Sequence, residues 1–287
     1  MDIVTTIPEV RAAVAAARVA GRSIGLVPTM GALHAGHASL VDAAAASCGL
    51  VVVSIFVNPT QFGPAEDLGA YPRTPEPDAD LCRRHGAGLI FMPSVEEMYG
   101  RGGLTEVSIR KLGQGLCGAR RPGHFTGVCT VVAKLFNIVL PDLAFFGAKD
   151  YQQATILRRM TADLNFPIEI VVCPTVREAD GLAMSSRNVY LSPDERRQAP
   201  ALQQALRAAA DLIRAKHPPV GDVLAAIRAR LAAAAPLGAE DYIHVVDPDE
   251  LAAVETTDRP VVIALAVRFG KARLIDNILV DARRARP

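Results

Sequence analysis

Five short runs in the first two-thirds of the chain, at residues 23–27, 50–57, 89–92, 143–146 and 168–172, are apolar on both faces rather than at every second position. A strand with one wet face alternates, whereas a strand covered on both faces has no need to. Stretches suited to helices lie between these runs, near residues 38–48, 78–85, 126–139 and 151–164. An Ala-rich helix precedes them all, opening at Thr6, Pro8 and Glu9 and ending near Ala20. Thr6 and Glu9 stand at capping-box separation, and Pro suits a first helical turn. Strand–helix repetition of this kind predicts an α/β fold with a Rossmann-like, doubly wound parallel sheet.

The pattern changes after about Pro174. Ser192, Pro193 and Glu195 mark a helix start, with Ser as N-cap, Pro at the first helical position and Glu at the third. Leu202, Leu206 and Ile213 then share one helical face, Leu224, Ile227 and Leu231 form a second stripe, and Pro218-Pro219 separates the two. Three strand-like runs follow at residues 242–246, 261–267 and 273–280. The expected organisation is a Rossmann-like domain over residues 1–175, binding the ligands described below, and a smaller C-terminal α+β domain over residues 176–287.

Half of the 287 residues are apolar, enough for a sizeable core. The formal net charge is only +1, from 31 basic and 30 acidic side chains. A protein whose main partner is nucleic acid carries a strong basic excess, so no nucleic-acid partner is expected. The five cysteines, Cys48, Cys82, Cys117, Cys129 and Cys173, form no C-x-x-C pair and are odd in number. They read as small core residues in a reducing cytoplasm rather than as a disulfide framework or zinc site. The first residues lack the basic and apolar regions of a secretory leader, and no apolar run is long enough to span a bilayer, so no membrane partner is expected.

The first strand runs directly into Met30-Gly31-Ala32-Leu33-His34-Ala35-Gly36-His37. A strand, a Gly-bearing turn and a helix start can present backbone N–H groups to a phosphate. His34 and His37, three apart, can point to one side of the first helical turn, and Gly36 leaves room for a nucleotide close to the backbone. Two surface histidines beside a helix cap are the plain alternative, and zinc would need a third ligand that is not recognisable nearby. Placement after the first strand of an α/β domain favours nucleotide binding.

The H-x-G-H stretch resembles the signature of the nucleotidyltransferase superfamily that includes class I aminoacyl-tRNA synthetases. The longer string from Val27 to His37 resembles the pantothenate synthetase (pantoate–β-alanine ligase) family. Further segments carry the same resemblance in the same order: Asn58-Pro59-Thr60-Gln61-Phe62-Gly63, Asp67 with Tyr71-Pro72-Arg73, Arg121-Pro122-Gly123-His124-Phe125, Phe146-Gly147-Ala148-Lys149-Asp150-Tyr151-Gln152-Gln153, and the run from Arg177 to Asn188. The match extends from about residue 20 to residue 195, and the remainder is less distinctive. Cys117 stands where the family pattern has an acidic residue, in an expected loop. Taken singly, Gln61 could close an Asn-Pro turn, Lys149 and Asp150 could be a solvated helix start, Ser185 and Ser186 could cap a helix, and His124 could be a loop residue.

The resemblance implies an ATP-dependent ligase that adenylates (R)-pantoate and then joins it to β-alanine, releasing AMP and pyrophosphate. It implies that Met30, Gly31, Ala32, Leu33, His34, Ala35, Gly36 and His37 line the ATP site, with His37 as proton donor. Gly147, Ala148, Lys149 and Asp150 would contact the nucleotide, and Val176 would hold adenine through its backbone. Met184, Ser185, Ser186 and Arg187 resemble a loose K-M-S-K-S loop, with Ala183 in place of the first Lys. Catalytic roles fall to His37, His34 and Lys149, which suit the charge that develops as two anions meet. Gln61 and Gln153 would bind pantoate, and Gln61 would also meet β-alanine, since an amide both donates and accepts. ATP is expected as a substrate with Mg2+, whose protein ligands the sequence does not identify, and no tightly bound organic cofactor is expected. The family also implies a cytoplasmic homodimer whose smaller domain closes over the ATP site. Competing functions are a nucleotidyltransferase that keeps the nucleotide on its product, a non-enzymatic nucleotide sensor and a tRNA synthetase remnant. The two glutamines, the retained His34, His37 and Lys149, and the near-zero charge argue against them in turn.

Overall fold

The computed structural model describes residues 1–281 apart from 65, 67 and 101. Asp67 of the motif above and residues 282–287 of the expected second domain therefore lie outside the described residues. In chain order the elements are β1 (Asp2–Val4), α1 (Ile7–Val19), β2 (Ile24–Thr29), α2 (Ala35–Ser47), β3 (Leu50–Ile55), α3 (Pro75–Arg84), β4 (Leu89–Phe91), α4 (Val95–Tyr99), α5 (Leu116–Arg120), α6 (His124–Val139), β5 (Leu143–Gly147), α7 (Tyr151–Asp163) and β6 (Glu169–Cys173). There follow α8 (Pro193–Gln198), α9 (Ala201–Lys216), α10 (Val220–Ala234), β7 (Ala239–Val246), β8 (Val261–Phe269) and β9 (Ala272–Val280). Three 3-10 turns, Pro59–Gln61, Ala148–Asp150 and Ser186–Tyr190, complete the list among the described residues.

The chain divides into two compact units. One comprises Met1–Gly113, Gly118–Ala148 and Gln153–Pro174; the other comprises Gln114–Cys117, Lys149–Gln152 and the chain from Thr175 onward. Two short segments from the first two-thirds of the sequence thus cluster with the second unit, where the sequence suggested a single cut.

The larger unit holds a six-stranded sheet in the order β1-β4-β3-β2-β5-β6, every neighbouring pair parallel. The winding reverses at β2, which pairs β3 on one side and β5 on the other. In open α/β sheets the crevice at such a switch point, beyond the carboxyl ends of the strands, is where ligands bind. Val27, Val51, Val53, Ile55, Ile90 and Phe145 face Leu40, Val41 and Ala44 of α2 and Ala79 and Cys82 of α3. Strand alternation sends Leu26 and Val52 to the opposite face, where α1 and α6 pack. With both faces covered, β3 and β4 are buried throughout and β2 and β5 over most of their length, while β6, at the sheet edge, is only partly buried. The sixth, β1, was not foreseen: it is three residues long, at the sheet edge and largely exposed, so no hydrophobic pattern announces it.

The smaller unit is a three-stranded antiparallel sheet, β7-β8-β9, with α9 and α10 packed on it. Leu202, Leu206 and Ile213 of α9 and Ile227 and Leu231 of α10 enter its core beside Val261, Ile263 and Leu265 of β8. Leu224 sits at the core margin, and its neighbour Val223 is the buried member of that turn. The helix that starts at Ser192 stops at Gln198, because Pro200 lacks the N–H to continue it, and α9 begins beyond. Both expected capping boxes, Thr6 with Glu9 and Ser192 with Glu195, are formed.

All five cysteines are free thiols, and all but the half-buried Cys48 are buried. Burial pushes Cys82 up to about 11, with Asp78 adding to the effect, and Cys129 up to about 12, as befits inert packing groups. Among the described residues no helix is long and apolar enough to cross a membrane.

Asp276 on β9 is nearly inaccessible and pairs with the Arg177 guanidinium through two bonds, Nη1 to Oδ2 at 2.7 Å and Nη2 to Oδ1 at 2.9 Å. Removing one partner of a buried pair strands the other charge. Asp276→Ala is expected to destabilise the smaller unit by roughly 3–5 kcal/mol, read from urea unfolding followed by circular dichroism, and Arg177→Ala/Asp276→Ala by clearly less than the sum of the two single changes.

Candidate active site

In the larger unit the turn after β2 is shaped by two residues in left-handed conformation, Gly31 (φ 82°) and Ala32 (φ 50°). Gly31 is required on two counts: its φ, and a Cβ there would lie 3.0 Å from Asp78 Oδ2 and 3.3 Å from Ile55 Cγ2. Asp78, buried on α3, explains the shape. Its carboxylate accepts the N–H of Ala32 at 2.9 Å and of Leu33 at 2.8 Å, and Thr74 Oγ1 donates to it at 3.1 Å. The Gly31 N–H goes to Thr29 Oγ1 at 3.3 Å. The turn is thus an anion-binding arrangement, but the anion is the protein's own. Backbone N–H groups of Gly31, Ala32 and Leu33 are not directed at a phosphate, contrary to the expectation from the strand–turn–helix pattern.

The two histidines follow at the start of α2. His34 is the N-cap of α2, and its Nδ1 accepts the Gly36 N–H at 3.1 Å; the His34 N–H goes to His37 Nδ1 at 3.3 Å. The rings lie 4.2 Å apart between centroids. An Nδ1 that accepts a backbone proton carries none of its own, so in each ring the proton is on Nε2. Capping therefore fixes both tautomers and makes both Nε2–H groups donors, at the positive end of the α2 dipole.

Gln61 lies in the 3-10 turn after β3, almost fully buried. Its Nε2 points to Met30 Sδ at 2.8 Å and its Oε1 accepts from Asn58 Nδ2 at 3.1 Å. Asn58, buried in turn, accepts from Tyr99 Oη at 2.7 Å and from Thr60 Oγ1 at 2.9 Å, and donates to the Gly127 carbonyl at 3.2 Å. Gly127 is the point where α6 crosses this turn: a Cβ there would stand 2.3 Å from the Thr60 carbonyl oxygen and 2.7 Å from the Gln61 nitrogen. The main-chain carbonyl of Gln61 is held by His124 and Arg121. Gly147 ends β5, and Ala148 opens the next 3-10 turn. Gln153, in the first turn of α7, is half-buried.

The remaining expected residues belong to the smaller unit. Lys149 is half-buried and its carbonyl accepts from Asn277 Nδ2 at 2.8 Å, while Asp150 is exposed. The Val176 carbonyl accepts the Met184 N–H at 3.0 Å, closing a hairpin bridged at Arg177 and Ala183. Ser185 Oγ caps the 3-10 turn Ser186–Tyr190 by accepting the Arg187 N–H at 3.2 Å, which leaves its own hydroxyl proton to donate. Asn188 ties this run to Glu178 at 2.8 Å, and Arg196 pairs with both Glu178 and Asp180. The Arg196 hydrogen bond holds the Asp180 carboxyl below the usual range. Cys117 is not in a loop: it is buried in the first turn of α5, with Sγ 3.2 Å from Tyr242 Oη and 3.5 Å from Arg273 Nη1. Arg273 has its carboxylate partner in Asp241, at 2.8 Å, so a thiol suffices beside it.

Sequence reasoning passed over Asp78, Tyr99, Gly127 and Asn58, the last quoted within a motif but given no role. Asp78 reads as an ordinary acidic residue in a first helical turn, and only the fold turns it toward Ala32. Asp78→Ala leaves two backbone donors in a buried turn without acceptors and is expected to cost about 2–3 kcal/mol, with Asp78→Asn costing less because one acceptor oxygen survives; thermal unfolding of the two variants measures this.

The family model described as pantoate-beta-alanine ligase matches residues 2–279. The pantothenate synthetase of Solidesulfovibrio magneticus is 56% identical over 259 residues, covering 90% of this chain and 91% of that protein. The crystal structure of the pantothenate synthetase from Thermus thermophilus superposes with a TM-score of 0.92 at 47% identity, covering 97% of this chain and 99% of that one. A more distant structure, the Francisella tularensis pantoate-beta-alanine ligase complexed with beta-gamma ATP and beta-alanine, gives a TM-score of 0.77 at 31% identity over 99% of each chain. From the match along nearly its whole length, the chain belongs to the pantoate–β-alanine ligase family.

Proposed function

We propose that the protein condenses (R)-pantoate with β-alanine through a pantoyl-adenylate, consuming ATP and releasing AMP and pyrophosphate. The observation that carries this reading is the pair of Nε2–H donors of His34 and His37, fixed by mutual capping at the start of α2 beyond the central strand. The family membership and the relative crystallised with beta-gamma ATP and beta-alanine support the substrate classes.

A carboxylate oxygen of pantoate attacks the α-phosphorus of ATP, and the bond from that phosphorus to the bridging oxygen breaks as pyrophosphate leaves. The nucleophile and the phosphates are both anionic, so donors must already be aimed where charge grows. His37 gives the hydrogen bond that strengthens as negative charge moves to pyrophosphate; His34 and Lys149 share the load. Gly147, Ala148 and Asp150 contact the nucleotide, with the Asp150 carboxylate accepting from ribose hydroxyls, and Val176 meets adenine through its backbone. Met184, Ser185, Ser186 and Arg187 contact the phosphates. Gln61 and Gln153 bind pantoate by donating from their amides to its oxygens, and Gln61 later meets β-alanine. The free amine of β-alanine then attacks the acyl carbon, AMP departs with the former carboxylate oxygen, and the amide nitrogen gives up its proton.

Mg2+ enters with ATP as part of the substrate. Among the described residues no group of three or more His, Cys, Asp or Glu is placed to hold a metal ion. The family resemblance also supports a homodimer acting in the cytoplasm.

His37→Ala or Lys149→Ala should lower kcat by about 100-fold or more with the fold intact, the scale for one preorganised donor. Near-normal turnover in a folded His37→Ala protein removes it from the mechanism. Labelled pyrophosphate should exchange into ATP with pantoate present and β-alanine absent, and the exchange should vanish without pantoate. Stoichiometric ADP in place of AMP would rule out adenylation.

A further inference from the structure

The segment Arg121–Phe125 has no part in the scheme above, yet its two polar side chains converge on the main chain of Gln61. His124 is buried, with Nδ1 2.8 Å from the Gln61 carbonyl oxygen and Nε2 3.0 Å from Arg121 Nη1. A guanidinium only donates and a carbonyl only accepts. These two contacts therefore leave one arrangement: Nε2 bears a lone pair and accepts from Arg121, and Nδ1 bears the proton and gives it to Gln61. A proton on Nε2 as well would face an N–H of the cation. Arg121 is itself committed on every side. Its Nε and Nη2 bind Glu66 at 2.7 Å and 2.6 Å, and Nη2 also reaches the Gln61 carbonyl at 3.3 Å. Glu66 is held below the usual carboxylate range: partial burial pushes it up, and the Arg121 hydrogen bonds and charge outweigh that. A cation so engaged is not a free anion receptor.

We propose that Glu66, Arg121 and His124 form a relay of positioning residues that sets the orientation of Gln61 for its substrate, with His124 acting as a neutral Nδ1–H donor and not in acid–base chemistry. Gln61 is gripped by its main chain from this side, while Asn58 and Met30 hold its amide. The amide plane is thereby set from two directions before any ligand arrives, which is the form of preorganisation that lowers the entropy cost of binding. The inference rests on the assignment of Gln61 to pantoate, and the test separates the two.

Steady-state kinetics with pantoate and ATP varied independently would compare Gln61→Ala, His124→Phe, His124→Asn and Arg121→Met in the full chain, with folding checked by circular dichroism. Gln61→Ala should raise the KM for pantoate; if it does not, the assignment of Gln61 fails and the relay loses its object. His124→Phe fills the same space without the donor and should raise the KM for pantoate by about tenfold, the scale of one lost hydrogen bond, while the KM for ATP moves less than about twofold. His124→Asn places an amide N–H where Nδ1 stood and should recover most of that loss. If Gln61→Ala raises the pantoate KM but His124→Phe and Arg121→Met leave it unchanged, the relay is overturned. Equal effects on both KM values with no rescue by His124→Asn would reduce His124 to packing and overturn it equally.

Discussion

One buried carboxylate sets the terms for the larger unit. Asp78 accepts two successive backbone N–H groups from Ala32 and Leu33, and those bonds hold Gly31 and Ala32 in left-handed conformations. Only from that bend does the chain leave β2 at an angle that starts α2 at His34. A phosphate could have occupied the same pair of donors, as it does in many nucleotide-binding turns. Here the position is filled internally, by a carboxylate of the protein itself.

The same logic recurs one strand over. Asn58, Tyr99, Gly127, His124 and Arg121 all act on the short turn that bears Gln61. Three of these lie on α6 or in the segment entering it, so the burial of α6 in the core and the placement of the buried Gln61 amide are a single packing problem. Gly127 is where the two meet, because the helix backbone touches the turn there with no space for a methyl group.

The sheet was legible because most of its strands are apolar on both faces, and both capping boxes because their side-chain code is local. The edge strand β1 was not, since three residues, two of them exposed, carry no periodicity. The break at Pro200 was visible as a residue but was passed over beside the strong start at Ser192. Within the site, His34, His37 and Gln61 stood out through their place at strand ends and their family strings. What braces them did not. Asp78 is 45 residues from Leu33 in sequence, and Gly127 is 69 from Asn58. Contacts at such separations exist only once the sheet has brought α3 and α6 alongside. Cys117 misled for the same reason: its partners Tyr242 and Arg273 come from β7 and β9.

The mutual cap of His34 and His37 has a bearing on how anion affinity responds to the medium. Rings that spend Nδ1 on backbone N–H groups offer dipoles, not full charges, at Nε2. Dipolar contacts at short range are little affected by ionic strength, whereas attraction to Lys149 and Arg187 is screened over a Debye length of about 8 Å at physiological salt. In the proposed reaction the histidine share of the hold on the triphosphate thus persists as salt rises, and the cationic share weakens.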